Sequence, residues 1–219
     1  DSHSRLDEIH RARPVARAAA PSALRRPPTE PAITYRFAGE SRTLDGYLAR
    51  HPATGLLIAR GDTILVERYQ YARRDTHRFT SWSMAKTITA MLVGIAIDEG
   101  RIRSIDDHPD GYVPELAGTE YGRTPIRDLL TMSTGKHEED IRDFPYAAKE
   151  NLVKRFLAFP VAHKPGTLFV YNTPASYILS AIVQKVTGQT VLDYLGPRLF
   201  GPLGIKTPIA ARFAHGQPA

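Results

Sequence analysis

Arg78-Phe-Thr-Ser-Trp-Ser-Met-Ala-Lys-Thr87 is the stretch of this 219-residue chain from which both a fold and a chemistry can be argued. Within it, Ser83-Met-Ala-Lys86 has the spacing S-x-x-K. Residues three apart lie on one face of a helix, so the Lys86 amine can approach the Ser83 hydroxyl. The start of a helix also offers free N–H groups and a partial positive charge, which stabilise an oxyanion. The pattern predicts that Ser83 is a nucleophile in the first turn of a helix, with Lys86 as its base.

The residues that follow Ser83 favour this interpretation. Between positions 84 and 97 the polar side chains are Lys86, Thr87 and Thr89 alone. A helix that is apolar nearly all round is typical of a buried helix, in which a lysine is costly unless it is paired or functional. The alternative is a lysine that extends from the helix start to solvent. We expect Gly100 to end the helix.

A second S-x-x-K occurs at Ser133-Thr-Gly-Lys136, so the spacing alone is a weak signal. This copy follows a predicted helix and carries Gly135 in its middle. We therefore predict a loop, in which the spacing does not place the serine and the lysine on one helical turn.

Other segments predict a mixed α and β fold with a helical lobe. Two β-prone runs on either side of Gly61 and Asp62 predict a hairpin, and a further strand is expected near 33–37. Thr124 and Thr173 each precede a proline, which predicts that they cap helices. The predicted helices span 125–132, 148–159 and 174–187, the last ending at Gly188, with a short one after Thr190.

The composition excludes several classes of function. The chain has no cysteine, which excludes disulfides and thiolate metal sites, and its longest apolar stretch, 90–97, is far shorter than the roughly 20 residues of a membrane span. The net charge of +6 comes partly from arginines before residue 27, where acidic residues are interspersed and no aromatic residue occurs. This pattern favours a solvated lead-in over a nucleic-acid-binding arm. The compartment stays open.

Taken together, four stretches resemble the class C β-lactamase-like serine hydrolases, a superfamily that includes DD-peptidases, family VIII carboxylesterases and 6-aminohexanoate-oligomer hydrolases. The first is 78–105, around Ser83. The others are Ile126-Arg-Asp-Leu-Leu-Thr-Met-Ser-Thr-Gly135, Pro165-Gly-Thr-Leu-Phe-Val-Tyr171 and 177–205, with Leu199-Phe-Gly-Pro-Leu-Gly204. The resemblance covers about 55–205. It implies an α+β, β-lactamase/transpeptidase-like fold with a helical lobe and an antiparallel sheet.

The resemblance also implies further site residues. Tyr171 matches the tyrosine of a Tyr-x-Asn motif, whose phenol helps to carry the proton to the leaving group. Thr173 stands where that motif has its asparagine, so the substrate contact at this position is in doubt, and Thr173 can equally be a helix cap. Trp82 lines the substrate cleft or fills the core; both interpretations stay open.

Residues 1–32 mix arginine, alanine and proline, which predicts a partly helical or extended lead-in. The resemblance implies a catalytic domain over residues 33–219. The domain would hold strands over 33–75, a helical lobe over 76–205 and an atypical tail over 206–219. The third motif of such families, Lys-Thr-Gly or His-x-Gly, is not found in the tail. We therefore expect a chain truncated at its C-terminus, with an incomplete sheet whose open edge invites self-association.

These residues lead to a functional hypothesis. We expect a serine hydrolase that forms an acyl-enzyme on Ser83 with an ester or amide, a β-lactam being a further candidate substrate, and that needs no metal or organic cofactor. One rival is a truncated or degenerate relative that binds acyl compounds without turnover. The other is a fragment that needs a partner chain.

Overall fold

The computed structural model describes residues 12–136, 157, 158, 160–205 and 209–212. Its strands are Ala12–Val15 (β1), Thr34–Phe37 (β2), Glu40–Thr43 (β3), Gly55–Arg60 (β4), Thr63–Tyr69 (β5) and Ile209–Arg212 (β6). Its helices are Leu44–Arg50 (α1), Ala85–Asp98 (α2), Ile126–Leu130 (α3), Thr173–Thr187 (α4) and Val191–Leu195 (α5). Short 3-10 turns lie at Trp82–Met84, Pro109–Gly111 and Pro114–Leu116, and a π-helical turn at Gly196–Phe200. Within these ranges the strands form three separate antiparallel pairs.

The hairpin predicted around Gly61 and Asp62 is confirmed. Strands β4 and β5 pair antiparallel from Gly55 opposite Tyr69 to Arg60 opposite Thr63, with an irregularity in register between Ile58 and Ala59. The two faces of the hairpin differ, because Val66 of β5 is buried whereas Leu57 of β4 is 53% exposed.

The strand expected near 33–37 is confirmed as β2, and its partner β3 was missed. The two strands are joined at Ala38 and Gly39, which have φ angles of 51° and 81°. Two positive φ angles are what a two-residue hairpin turn requires, but alanine rarely takes the first of them and gives no turn signal. Helix α1 follows directly, and the Thr43 side chain caps it by accepting a hydrogen bond from the Gly46 N–H.

The core of the helical lobe lies where α2 packs against α4. Both helices bury apolar side chains there, and α3 and α5 contribute more. Helix α4 matches the predicted 174–187 closely, and it ends at Gly188, whose φ of 67° is the left-handed conformation that glycine adopts easily. Thr190 caps α5 as predicted.

Three predictions about the helices need correction. The N-cap of α4 is Asn172 and not Thr173, which is the first helical residue. Thr124 does not cap α3, because its hydroxyl donates to the Glu120 carbonyl instead. Helix α3 spans only 126–130 of the predicted 125–132, and the helix predicted over 148–159 lies almost wholly outside the described residues.

Helix α2 is not buried all round, contrary to the prediction. It ends before Gly100 as expected, but its buried residues are Leu92, Val93 and Ala96. Met84, just before the helix, and Met91 are exposed. The helix packs against α4 with one face. Its opposite face is also apolar, but no described element packs on it at Met91, so that side stays exposed.

The described part of the lead-in, from Ala12 onward, is solvent-exposed over most of its length, but it docks on the rest of the chain. Val15 and Ala18 are buried, and the Ala18 N–H donates to the Ile205 carbonyl at 2.9 Å. Strand β1 pairs with β6. Farther along, three ion pairs join the lead-in to the β4–β5 hairpin: Arg25–Asp62, Arg26–Glu67 and Glu30–Arg68. The arginines of 25–26 therefore pair within the chain.

Candidate active site

Ser83 and Lys86 lie at the start of α2 in mutual contact. Ser83 belongs to the 3-10 turn Trp82–Met84, which runs directly into the helix, and Lys86 is the second residue of α2. The half-buried Lys86 Nζ donates a hydrogen bond to the exposed Ser83 Oγ at 2.9 Å. The structure thus brings together the two groups that the S-x-x-K spacing pairs. The serine precedes the first α-helical residue and does not lie in the first α-helical turn.

Tyr171 completes a three-residue cluster with Ser83 and Lys86. It lies in the segment that leads into α4, and its ring centroid is 5.2 Å from the Lys86 Nζ. A hydrogen bond from Ser83, together with a hydrogen bond and the charge of Lys86, lowers the pKa of the Tyr171 phenol against the opposing effect of burial. Groups that favour the ionised phenol raise the fraction of Tyr171 that can accept a proton at a given pH.

Asn172 is a residue of the site that the sequence analysis passed over. Its side chain is 0% exposed, accepts a hydrogen bond from the Ala175 N–H, and donates to the Val170 carbonyl at 2.9 Å. The available signal was an asparagine before Thr-Pro, which is typical of an N-cap. It was missed because the motif resemblance directed attention to Thr173.

Trp82 and Thr173, the two candidate substrate contacts, lie on either side of this cluster in the sequence. Trp82 is 66% exposed, which rules out the interpretation that it fills the core. Its φ of 44° is in the left-handed region, which is unfavourable for a bulky residue and is often found at functional turns. Thr173 is half-buried at the first position of α4.

Exposed apolar side chains accompany Ser83 and Tyr171. Next to Ser83 in the chain are the exposed Phe79 and Met84, and just before Tyr171 are the exposed Leu168 and Phe169. Ser83 and Tyr171 therefore lie in segments rich in exposed apolar surface.

The second S-x-x-K forms a loop, as predicted. Ser133 is buried, and its Oγ lies 2.8 Å from the Thr131 hydroxyl and donates to Asp128 Oδ1 at 3.5 Å. Lys136 is 0% exposed, with its Nζ 4.1 Å from the Tyr121 ring centroid. Thus Ser133 lies inside the protein, in a hydrogen-bonding environment of its own.

Neither a metal site nor a membrane-spanning helix is found in the described ranges. No group of three or more histidine, aspartate or glutamate side chains there is arranged to hold a metal ion. None of the helices in those ranges is both long and apolar enough to cross a bilayer.

Residues 41–218 match the protein family described as Beta-lactamase. The match extends beyond the 55–205 expected from the sequence and includes most of the tail. Lovastatin esterase of Penicillium rubens is 29% identical, over 56% of this chain and 37% of its own. The 6-aminohexanoate-dimer hydrolase of Paenarthrobacter ureafaciens is 31% identical over 53% of this chain and 30% of its own, and a beta-lactamase of Escherichia coli is 26% identical over 58% and 33%. The chain thus spans about a third of the length of these relatives.

Solved structures show the same fold. A protein of Bacillus anthracis assigned to the 6-aminohexanoate-dimer hydrolases has a TM-score of 0.73 at 18% identity, over 96% of this chain and 61% of its own. A class C beta-lactamase of Rhodobacter sphaeroides has a TM-score of 0.56 at 19% identity, over 74% and 48%. The expected β-lactamase/transpeptidase-like fold is therefore confirmed.

Proposed function

The chain belongs to the beta-lactamase family of serine hydrolases, and from this premise we propose that it cleaves an ester or amide through an acyl-enzyme on Ser83. The observation that carries the proposal is the 2.9 Å contact between Lys86 Nζ and Ser83 Oγ, with the Tyr171 ring centroid 5.2 Å from the same Nζ. A nucleophile, a base and a third proton-carrying group in one cluster form the arrangement needed for covalent catalysis.

In the first half-reaction, Ser83 Oγ attacks the carbonyl carbon of the substrate while its proton passes to Lys86. The negative charge that develops on the carbonyl oxygen is stabilised by the Ser83 backbone N–H at the start of α2. The bond from carbon to the leaving oxygen or nitrogen then breaks. The proton reaches this leaving atom through the Tyr171 phenol, which leaves an ester on Ser83.

In the second half-reaction, water attacks the carbonyl carbon of this ester. The Tyr171 oxygen, in its ionised form, accepts the water proton. The bond between the carbonyl carbon and Ser83 Oγ breaks, and Oγ regains its proton from the Lys86–Tyr171 pair. Protons and electrons balance without a metal or an organic cofactor.

An ester or linear amide with an apolar substituent is the substrate class that we propose. The names of two relatives denote an esterase and a hydrolase of 6-aminohexanoate dimers. The exposed Trp82 beside the nucleophile offers a flat apolar surface for an acyl or alcohol group, and Thr173 is the second proposed substrate contact. The β-lactam remains an alternative substrate of the same site.

A fluorophosphonate probe tests the proposal, because it labels only an activated serine. We expect the wild-type protein to be labelled on Ser83 and to hydrolyse p-nitrophenyl butyrate, and the Ser83→Ala variant to do neither. A protein that binds the ester but is neither labelled nor able to turn it over would be the binding relative, and the proposal would be wrong.

We further propose that the protein self-associates through the free edge of β4. In the described residues β4 is paired on one side only, by β5, and its Leu57 side chain is exposed. An edge strand of this kind is a template for pairing with a second copy.

A further inference from the structure

We propose that Asn172 is a positioning residue, which holds Tyr171 against Ser83 and Lys86 by fixing the backbone on both sides of the tyrosine. The inference rests on the proposed function, since it assigns Asn172 a role in the proton transfer by Tyr171. Asn172 itself does not touch the reacting atoms in this assignment.

The hydrogen bonds of Asn172 reach in both directions along the chain. Its Oδ1 accepts from the Ala175 N–H at 2.9 Å, which ties the residue to the first turn of α4. Its Nδ2 donates to the Val170 carbonyl at 2.9 Å and to the Thr134 hydroxyl at 3.4 Å. One side chain therefore joins the residue before Tyr171, the helix after it and a neighbouring loop.

Tyr171 depends on such bracing because its own side chain is poorly covered. It is 48% exposed, whereas Val170 and Asn172 on either side are buried. Packing around a half-exposed ring restrains it weakly. The ring direction is then set mainly by the backbone of the residue, which the two buried neighbours hold.

The bracing continues into the loop that contains the second S-x-x-K. The Val170 N–H donates to the Met132 carbonyl and the Gly166 N–H to the Ser133 carbonyl, both at 2.8 Å. Thr134, the residue that Asn172 contacts, is fully buried. This loop thus supports the backbone that leads to Tyr171. The second S-x-x-K therefore has a structural role and not a catalytic one.

Two other roles for Asn172 are less consistent with its surroundings. A substrate contact needs an amide that the substrate can reach, but this one is 0% exposed and bonded at both its oxygen and its nitrogen. A simple N-cap needs the oxygen only, and leaves the two donations from Nδ2 unexplained.

The Asn172→Ser variant separates bracing from capping. Serine caps a helix about as well as asparagine, so its Oγ can still accept from the Ala175 N–H. It has no amide to reach Val170 or Thr134. We expect kcat on p-nitrophenyl butyrate to fall about 10- to 100-fold, since a small misplacement of a catalytic group costs this much. KM should stay within about twofold, because no substrate contact is lost.

A second readout does not depend on turnover. Ultraviolet difference titration against a Tyr171→Phe background isolates the ionisation of the Tyr171 phenol. In Asn172→Ser the phenol moves away from the groups that lower its pKa, so its titration should shift to higher pH than in the wild type. Thr190→Ala, which removes a cap of α5, is the matched control: it should lower stability while leaving kcat and the phenol titration unchanged.

Three results would overturn the inference: a wild-type kcat and phenol titration in Asn172→Ser, a loss confined to KM, or the same loss of kcat in Thr190→Ala. A wild-type protein that the fluorophosphonate does not label would refute the proposed function instead. In that case the phenol titration still decides whether Asn172 holds Tyr171 in place.

Discussion

Two serines of this chain stand three residues before a lysine, and they differ in solvent exposure and in hydrogen-bond partners. Ser83 Oγ is exposed and accepts a hydrogen bond from Lys86, whereas Ser133 is buried and bonds to Thr131 and Asp128. We expect Ser83→Ala to abolish esterase activity. Ser133→Ala should keep most of it and lose about 1 kcal/mol of stability through the missing hydrogen bonds. Initial rates and thermal melts of both variants decide this; an equal loss of rate in two folded variants would contradict it.

The lowered pKa of Tyr171 leads to a prediction about pH dependence. The Ser83 hydrogen bond and the Lys86 contacts favour the phenolate, so deprotonation occurs below the ordinary value near 10. Activity that needs the phenolate therefore rises with pH along a limb whose apparent pKa lies below 10 and belongs to the coupled cluster. The kcat/KM profile from pH 6 to 11 measures it. Tyr171→Phe should remove this limb, and a variant that keeps it would exclude Tyr171 as its source.

For single residues, the pairing of Ser83 with Lys86 could be predicted from the sequence, because residues three apart at the start of a helix are neighbours through local geometry alone. It did not predict Asn172. The choice between Asn172 and Thr173 as the cap depends on which side chain is buried against Thr134, and this contact joins segments far apart in sequence.

Substitution of two glycines by alanine is expected to change the stability of the protein in opposite directions. Gly94 is inside α2 with open space where a Cβ would be, so Gly94→Ala should stabilise the protein by about 0.5–1 kcal/mol. Gly204 has a φ of 63°, and a Cβ there would lie 2.1 Å from the Ser22 Oγ. Gly204→Ala should destabilise by about 1–3 kcal/mol. Thermal melts of the two alanine variants measure both; a stabilised Gly204→Ala would show that the lead-in does not dock there.

The elements that were predicted correctly contain local turn or capping residues that mark where they begin and end. Hairpin β4–β5 has its Gly-Asp turn, and α4 and α5 have their caps and the stop at Gly188. The β2–β3 turn was missed because Ala38 holds a positive φ that only its surroundings can impose. The prediction that α2 is buried on all sides was wrong, because a sequence shows which faces of a helix are apolar but not which neighbouring elements cover them.

For the whole molecule, the free edge of β4 predicts association between copies. Leu57→Lys should lower the fraction of dimer or larger species, because a charge on an edge strand opposes pairing in trans. Sedimentation velocity at several protein concentrations measures this, with Arg60→Lys as a control that keeps the charge of β4. A wild-type protein that stays monomeric at all concentrations would contradict the proposed edge pairing.

The docking of the lead-in also bears on how the chain is made. The Ser22 hydroxyl donates to the Leu203 carbonyl across 181 residues of sequence, so an early segment leaves the ribosome long before its partner is synthesised. Closing a loop of this length is slow and entropically costly, so the contact belongs to a late step of folding. Until then Val15 and Ala18 have no core in which to be buried. A nascent chain of this kind keeps these two apolar side chains accessible to chaperones until that late step.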